Sequence, residues 1–490
     1  MFGFDIKQRQ VNNVAMITFW SQFAAYSINS VLILFLTRPI WKHGLGYHED
    51  HAYAFFGVYQ AMGYLMPVLG GFMADKVLGI RRSILIGSAL VAAAYLLVML
   101  SGYTVKYGDY FFIAAYALIP ATNSLLMGTS SAMIARIFSD SPSRAKAGVT
   151  IYYMSINLGA LLATFLAPML MKSVYGPLTV FAVAFAGKAL SVLNFAWRYN
   201  LYDKIIEGQD KKRLNFLIVS KVISYLLVIY IATVIAYFNV NWASLIMGFG
   251  CTFGLLWFLG AGIIRQGDVR FKHMIALALI IEAVVFFILY NQMGSTLVLF
   301  AQNNSDLNLL GFHVSAAQYQ MINPIAIMLF SFILPYFYRI FPNFNIPYQF
   351  AAGTALAGIA MLVMWVACYH ATNGLINGNY FILSYFIQAL AELWVSAIGL
   401  SMIGFYCDHK IITFSMGAWY IAVSLSHVLS GQLARFVAIN PKITNPVESL
   451  PIYQSYYFKM AIAAIIIGII MIGFALLMKK LANKRDIILH

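Results

Sequence analysis

Runs of about twenty apolar residues recur from one end of this chain to the other, and each is long enough to cross a hydrocarbon core ~30 Å thick. Composition agrees. Of the 490 residues, 62% are hydrophobic and 10% are charged, where a soluble domain carries roughly 25% charged residues. The chain therefore reads as an all-α polytopic membrane protein. Its three cysteines, Cys251, Cys368 and Cys407, fall within or at the ends of apolar runs, so no disulfide framework is expected. The first run lacks a small-residue cleavage site and is too long for a signal-peptide core, so it reads as retained.

Fourteen spans are expected, near residues 12–37, 53–74, 83–101, 109–137, 145–171, 176–198, 214–236, 241–264, 272–300, 316–339, 348–369, 377–405, 411–437 and 453–479. Charge tests the count. With the N-terminus in the cytoplasm, 22 of the 31 Lys and Arg fall on the cytoplasmic side, seven fall outside, and Lys188 and Lys221 lie within spans. That bias follows the positive-inside rule and places both termini in the cytoplasm. The net charge of +15 is thus a mark of topology, and no basic–aromatic module points to nucleic acid.

Two polar interruptions, residues 198–213 and 265–273, bracket two spans with few polar groups. The expected layout is an N-terminal six-helix bundle over 1–200, a cytoplasmic linker with two inserted transmembrane helices over 201–270, and a C-terminal six-helix bundle over 271–490. Two six-helix halves suit a rocking transporter, with its solute site near the midplane. A channel needs no such duplication.

The first span, ITFWSQFAAYSINSVLILFL at residues 17–36, poses the sharpest question. It carries Thr18, Ser21, Gln22, Tyr26, Ser27, Asn29 and Ser30 but nothing that ionises near neutral pH. Elsewhere the loop GGFMADKVLGIRR sets Gly70, Gly71, Asp75, Gly79, Arg81 and Arg82 at a cytoplasmic helix end. It resembles the signature loop of the major facilitator superfamily, which speaks to fold and gating. An ordinary basic turn is the plainer alternative. More specific strings follow: AGVTIYYMSINLGALLA at 147–163, LYNQMGSTLVLFAQ at 289–302, QYQMINPIAIM at 318–328, QALAELWVSAIGLSM at 388–402 and MGAWYIAVSLSHVLSGQLA at 416–434. In this order, with the inserted pair, they resemble the proton-dependent oligopeptide transporter family over nearly the whole chain.

The resemblance implies a major facilitator fold with two added helices, alternating access, and proton-driven uptake of di- and tripeptides. It also exposes departures. The family's first helix carries E-x-x-E-R-F-x-Y-Y-G, with proton-coupling acids and an Arg for the peptide carboxylate. Here that frame holds Thr18, Ser21, Gln22, Phe23, Tyr26 and Ser27. The family's F-K-P-N becomes Leu126, Met127, Gly128 and Thr129, and the acid of its E-Q-x-G-S string becomes Asn291, followed by Gln292. A carboxylate solute would then be desolvated without a cationic partner, at a cost of several kcal/mol. Weak selection for a free carboxylate is the consequence.

What the resemblance carries over is a wall of Gln22, Tyr26, Tyr59, Tyr64, Asn157, Asn291, Gln292, Asn323, Ser396, Trp419 and Tyr420, with Glu392 as the acid that attracts a solute amine. A charge inside the bilayer costs ~2.5–3.5 kcal/mol or more and persists for function or in pairs. Glu392 is one such charge. Glu282 matches no family position and reads either as a gate residue or as an ion pair with Lys410 or Arg339. His427 reads as a hydrogen-bonded core residue or as a proton carrier. Lys188 and Lys221 are expected to snorkel or pair. If transport is proton-linked, Glu392 is the expected carrier, with His427 as a relay and Glu282 as a further candidate. The HEDH string at 48–51 has metal-like residues but loop spacing, and reads as a solvated turn with no metal.

The expectation is a secondary transporter of the bacterial inner membrane, monomeric and without a cofactor, moving a peptide or an amine-bearing solute. A non-peptide solute, export, or a non-transporting transceptor are the rival readings. No Ser, His, Asp or Cys spacing resembles a catalytic set, so an enzyme is not expected.

Overall fold

The computed structural model describes residues 5–487 apart from 105, 106, 127, 140, 141 and 207, and also residue 489; the side chains of 142–146, 409 and 413 lie outside the description. Among the described residues the protein is almost wholly helical, with one two-stranded ribbon, β1 (Asn308–Leu309) paired to β2 (Phe312–His313). Eleven helical stretches are long and apolar enough to cross a membrane. The other three of the fourteen expected stretches are covered by α2 (Glu49–Met73), by α4 (Tyr110–Asn123) with α5 (Thr129–Ile137), and by α15 (Ile412–Ala434).

Two spans that read as continuous are broken. Between α4 and α5 the chain turns through Gly128, whose φ of +81° suits a residue without a Cβ. After α10 (Gly267–Tyr290), a 3-10 turn over Asn291–Gly294 precedes α11 (Thr296–Asn304).

By contact the chain forms two compact units. The first comprises Met1–Tyr47 and Met62–Val240, and the second His48–Ala61 and Asn241–His490. The inserted helices divide: α8 (Phe216–Phe238) goes with the first unit and α9 (Val240–Ile263) packs in the second. In the first unit α1 (Ile6–Thr37) packs on α6 (Pro142–Leu170) and α7 (Pro177–Trp197), while α3 (Ile80–Ser101) packs on α7 and α4. Val11, Val14, Ile17, Ile84, Met133 and Phe195 form a buried apolar cluster there.

In the second unit α13 (Ile346–Tyr369) makes its largest interface with α16 (Pro446–Asn483). Lipid supplies no hydrophobic drive between helices, so close packing must. Small residues permit it: a Cβ at Gly358 would lie 3.0 Å from the Ala461 carbonyl oxygen, and one at Gly468 would lie 2.9 Å from the Ala355 nitrogen. α10 and α14 (Tyr380–Tyr406) pack on α13, α12 (Ile322–Ile340) packs on α14, and α15 packs on α10.

Candidate functional site

In the second unit, Gln388, Glu392 and Ser396 follow one another at four-residue intervals on α14 and so share a face. Glu392 is half-buried. Asn323 Nδ2 on α12 donates to its Oε2 at 3.0 Å, and the Tyr290 hydroxyl at the end of α10 also hydrogen-bonds to it. The carboxylate is thus held by neutral donors. Nearby polar groups remain open: Asn291 Nδ2 and both amide atoms of Gln388 are buried without a hydrogen-bond partner. A buried polar group left unmade costs ~1–3 kcal/mol, so these amides favour an incoming polar ligand.

Gln292 behaves differently from its expected role in the wall. It is fully buried, and its Nε2 donates to Ile288 O at 2.9 Å and Ser430 Oγ at 2.8 Å. Its Oε1 accepts from Thr296 Oγ1 at 2.8 Å and the Tyr456 hydroxyl at 3.0 Å. Every capacity of the amide is used inside the unit, which makes it a structural node. Trp419 is likewise buried, packed 5.9 Å from the Phe287 ring and over Gly399, where a Cβ would lie 2.0 Å from its indole. Tyr420 and Ser396 are half-buried, and Tyr59, in the part of α2 that belongs to this unit, is buried.

Glu282 and His427 are both buried. Glu282 faces the Thr354 hydroxyl on α13, with neither carboxyl oxygen in ordinary hydrogen-bond geometry. The ion pair with Lys410 or Arg339 is not formed, because the acid lies too deep for bases at the helix ends to reach. The HEDH string is dispersed. Glu49 Oε2 accepts from the Ile439 backbone N–H at 2.8 Å, while Asp50 lies 3.8 Å from Arg435.

In the first unit the uncharged stretch of α1, residues 12–37, now makes sense. Ser27 donates to Phe23 O at 2.7 Å and Ser30 to Ser27 O at 3.3 Å, so these hydroxyls are satisfied by their own helix. Gln22, Tyr26 and Asn29, spaced four and three apart, form a face that is half-buried to exposed. Tyr64 is half-buried, and Asn157 is buried with its amide donated to Tyr153 O at 3.0 Å. Met127 lies outside the described residues.

Lys188 neither snorkels nor forms an ion pair. It is 3% exposed, and its Nζ donates to Ser21 Oγ at 2.8 Å. Its place in the middle of α7, facing α1, leaves the side chain no route to an interface. Lys221, by contrast, is exposed.

At the end of α2, the glycine-rich motif meets the linker. Asp210 is 3% exposed and accepts from the backbone N–H groups of Arg81 at 3.2 Å and Arg82 at 3.4 Å. Arg136 Nη1 lies 3.4 Å from the same carboxylate. Arg81 pairs with Asp203 and stacks 4.0 Å from the Tyr199 ring, and Arg82 donates to the carbonyls of Gln209 and Asp210 at 3.1 Å. Gly79 has φ +94°, and a Cβ there would lie 2.3 Å from the Asp210 carboxylate. Gly70 meets the Ser124 carbonyl just as closely, Gly71 has open space, and Asp75 is exposed.

Tyr290, Gln388, Lys188, Asp203 and Asp210 were missing from the expected site. Tyr290 and Gln388 stand within the quoted strings and could have been found there. Gln388 lies one turn from Glu392.

A profile of the POT family matches residues 81–450. The chain is 29% identical over 475 residues to the dipeptide and tripeptide permease A of Erwinia pyrifoliae, covering 96% of this chain and 94% of that protein. It is 28% identical over 460 residues to the protein of that name from Escherichia coli, covering 93% and 90%. Among solved structures, tetrameric PepTSo2 superimposes with a TM-score of 0.87 at 27% identity, over 97% of this chain and 99% of that one. A proton dependent oligopeptide transporter studied for substrate recognition gives a TM-score of 0.83 at 27% identity, over 97% and 100%.

Proposed function

The chain belongs to the POT family, and we propose that it is a secondary carrier that takes up di- and tripeptides, or peptide-like amines, by alternating access across the bacterial inner membrane with both termini in the cytoplasm. The relatives with shared names are dipeptide and tripeptide permeases, and their similarity runs over nearly the whole chain. The observation that carries the reading is Glu392. Its carboxylate is held by Asn323 and Tyr290, which donate without neutralising it. Open amides at Asn291 and Gln388 lie on the neighbouring turns. A solute ammonium would supply the missing charge and the peptide backbone the missing hydrogen bonds.

The test is uptake of labelled dialanine into proteoliposomes by the wild type and by Glu392→Gln, with monodispersity checked for each. The wild type is expected to concentrate the peptide. Glu392→Gln is expected to lose roughly a hundredfold in transport efficiency, about 2.7 kcal/mol at ~1.4 kcal/mol per decade. Equal rates would make Glu392 structural. No uptake of any peptide by the wild type would remove the peptide reading.

A further inference from the structure

Among the described residues, Lys188 is the one Lys, Arg, His, Asp or Glu buried in the interior of a membrane-spanning helix of the first unit. The elements packed against α7 are α1, α3 and α6. Residues 12–37, 83–101 and 147–170 of those helices contain no Asp, Glu, His, Lys or Arg; their titratable side chains are Tyr26, Tyr95, Tyr152 and Tyr153. The lysine therefore has no counter-charge from any helix it touches. Its partner is Ser21 Oγ at 2.8 Å, which sits 3.1 Å from Ser191 Oγ, and Ser191 in turn donates to Ile17 O at 3.1 Å.

An ammonium offers three donors, and this site answers with one hydroxyl. A buried charge without a partner costs several kcal/mol, and one inside a membrane span is a mark of function. Lysine, unlike arginine, can shed its proton when buried. The same serine suits both states: its oxygen accepts from the ammonium, and its hydroxyl can donate to the lone pair of the neutral amine. Ser21 is half-buried and adjoins Gln22 on the helix whose polar face is otherwise uncharged.

We propose that Lys188 binds the coupled proton, and that it does so together with an anionic group of the solute, a carboxylate, received at Ser21. The inference rests on the carrier reading above. In the empty protein the side chain is a neutral amine bonded to Ser21. When a carboxylate arrives, the amine takes a proton from water and the pair is electrically balanced. When the carboxylate leaves, the proton returns to water; no bond to the solute forms or breaks. Each ligand then strengthens the other by the same factor. A buried base on α7 thus takes over the role of the acids absent from α1, and the expected indifference to a free carboxylate is reversed.

Calorimetric titration in two buffers of different ionisation enthalpy counts the protons taken up. The probes are dialanine and dialanine amide, with the purified full chain near neutral pH. The wild type is expected to take up about one proton more with the free acid than with the amide, and to bind the acid roughly tenfold more tightly or better, about 1.4 kcal/mol. Lys188→Met is expected to lose both differences while binding the amide as the wild type does. Lys188→Arg, with its fixed charge, is expected to keep much of the preference for the acid but lose the extra proton. Ser21→Ala reports on the same site without touching the lysine, and is expected to weaken acid binding alone. Equal proton uptake with acid and amide in the wild type overturns the inference, as does extra uptake that survives in Lys188→Met. Where Lys188→Met does not fold, the wild-type difference and Ser21→Ala decide. Binding of neither probe removes the peptide reading as well, an outcome distinct from binding without the extra proton.

Discussion

The two units solve the problem of polar groups in a membrane in opposite ways. Among the described residues, the first keeps acids out of the interior of its spans, satisfies serines within α1 and buries one base there, Lys188. Ion pairs gather instead around Asp203 and Asp210. The second buries Glu282 and His427 and half-buries Glu392, with the Thr354 hydroxyl beside Glu282 and Asn323 and Tyr290 on Glu392. The contrast separates two uses of polarity. Where every capacity is spent, as at Gln292, a polar side chain fixes the fold. Where charge or hydrogen bonding is left over, as at Glu392 and Lys188, it is available to a ligand.

The strongest test of that contrast removes a satisfied node. Gln292→Leu would orphan Ser430, Thr296 and Tyr456 in the interior of the second unit. At ~1–3 kcal/mol for each buried group left unpaired, the expected loss is about 3–5 kcal/mol, read as a large fall in thermal stability. Peptide affinity of whatever remains folded should be unchanged. A stable Gln292→Leu protein with weakened binding would move Gln292 back into the solute site and blur the distinction.

A smaller effect is expected where the linker meets the arginine motif of the first unit. Asp210→Ala would withdraw the acceptor for two backbone N–H groups and the Arg136 guanidinium. Hydrogen bonds to a charged group contribute ~1.5–3 kcal/mol when well formed; these are long, so a loss of about 2 kcal/mol is expected. Trypsin should then cut faster in the stretch holding Lys211, Lys212 and Arg213. Gly79→Ala should act the same way, since it combines a left-handed backbone with a contact into the same carboxylate. Unchanged cleavage in both variants would show that the linker is held by Arg82 and Asp203 alone.

How much of this was readable beforehand depends on the range of each interaction. Glu392 was conspicuous because an acid in an apolar span has few neighbours to hide among. The helical class and the number of apolar stretches followed from hydropathy, which is local. The breaks at Gly128 and Asn291–Gly294 did not, because a twenty-residue window averages over a turn. Lys188 was misjudged for a different reason. A lysine in a span reads as snorkelling unless its partner is known, and Ser21 lies 167 positions away. Asp210 was hidden in a stretch that reads as a polar spacer, although it completes the arginine motif 129 positions earlier. Gln292 and Asn291 looked alike as neighbouring amides, and only packing tells the spent one from the open one.

The smallest expected effect lies at Glu49, the first residue of α2, in the part of that helix that belongs to the second unit. Its carboxylate accepts from the Ile439 N–H at 2.8 Å and from Asn303 Nδ2 at 3.4 Å. Burial, the largest influence, lifts it above the ordinary glutamate range, and the two donors pull it partly back. The folded protein thus holds this proton more tightly than the unfolded chain does. The stability it contributes is full below the ordinary glutamate pKa of ~4.3 and is lost as pH rises through the folded value. Glu49→Gln keeps an acceptor for Ile439 but cannot ionise. Its melting temperature should gain on that of the wild type as pH rises from about 4 towards 7, by a few degrees at most. The Asp50–Arg435 contact is present in both proteins and so drops out of the comparison. If the gap between the two proteins instead narrows as pH rises, the donors outweigh burial. Glu49 would then be a satisfied node of the same kind as Gln292, and the first turn of α2 would join the part of the second unit whose polarity is spent.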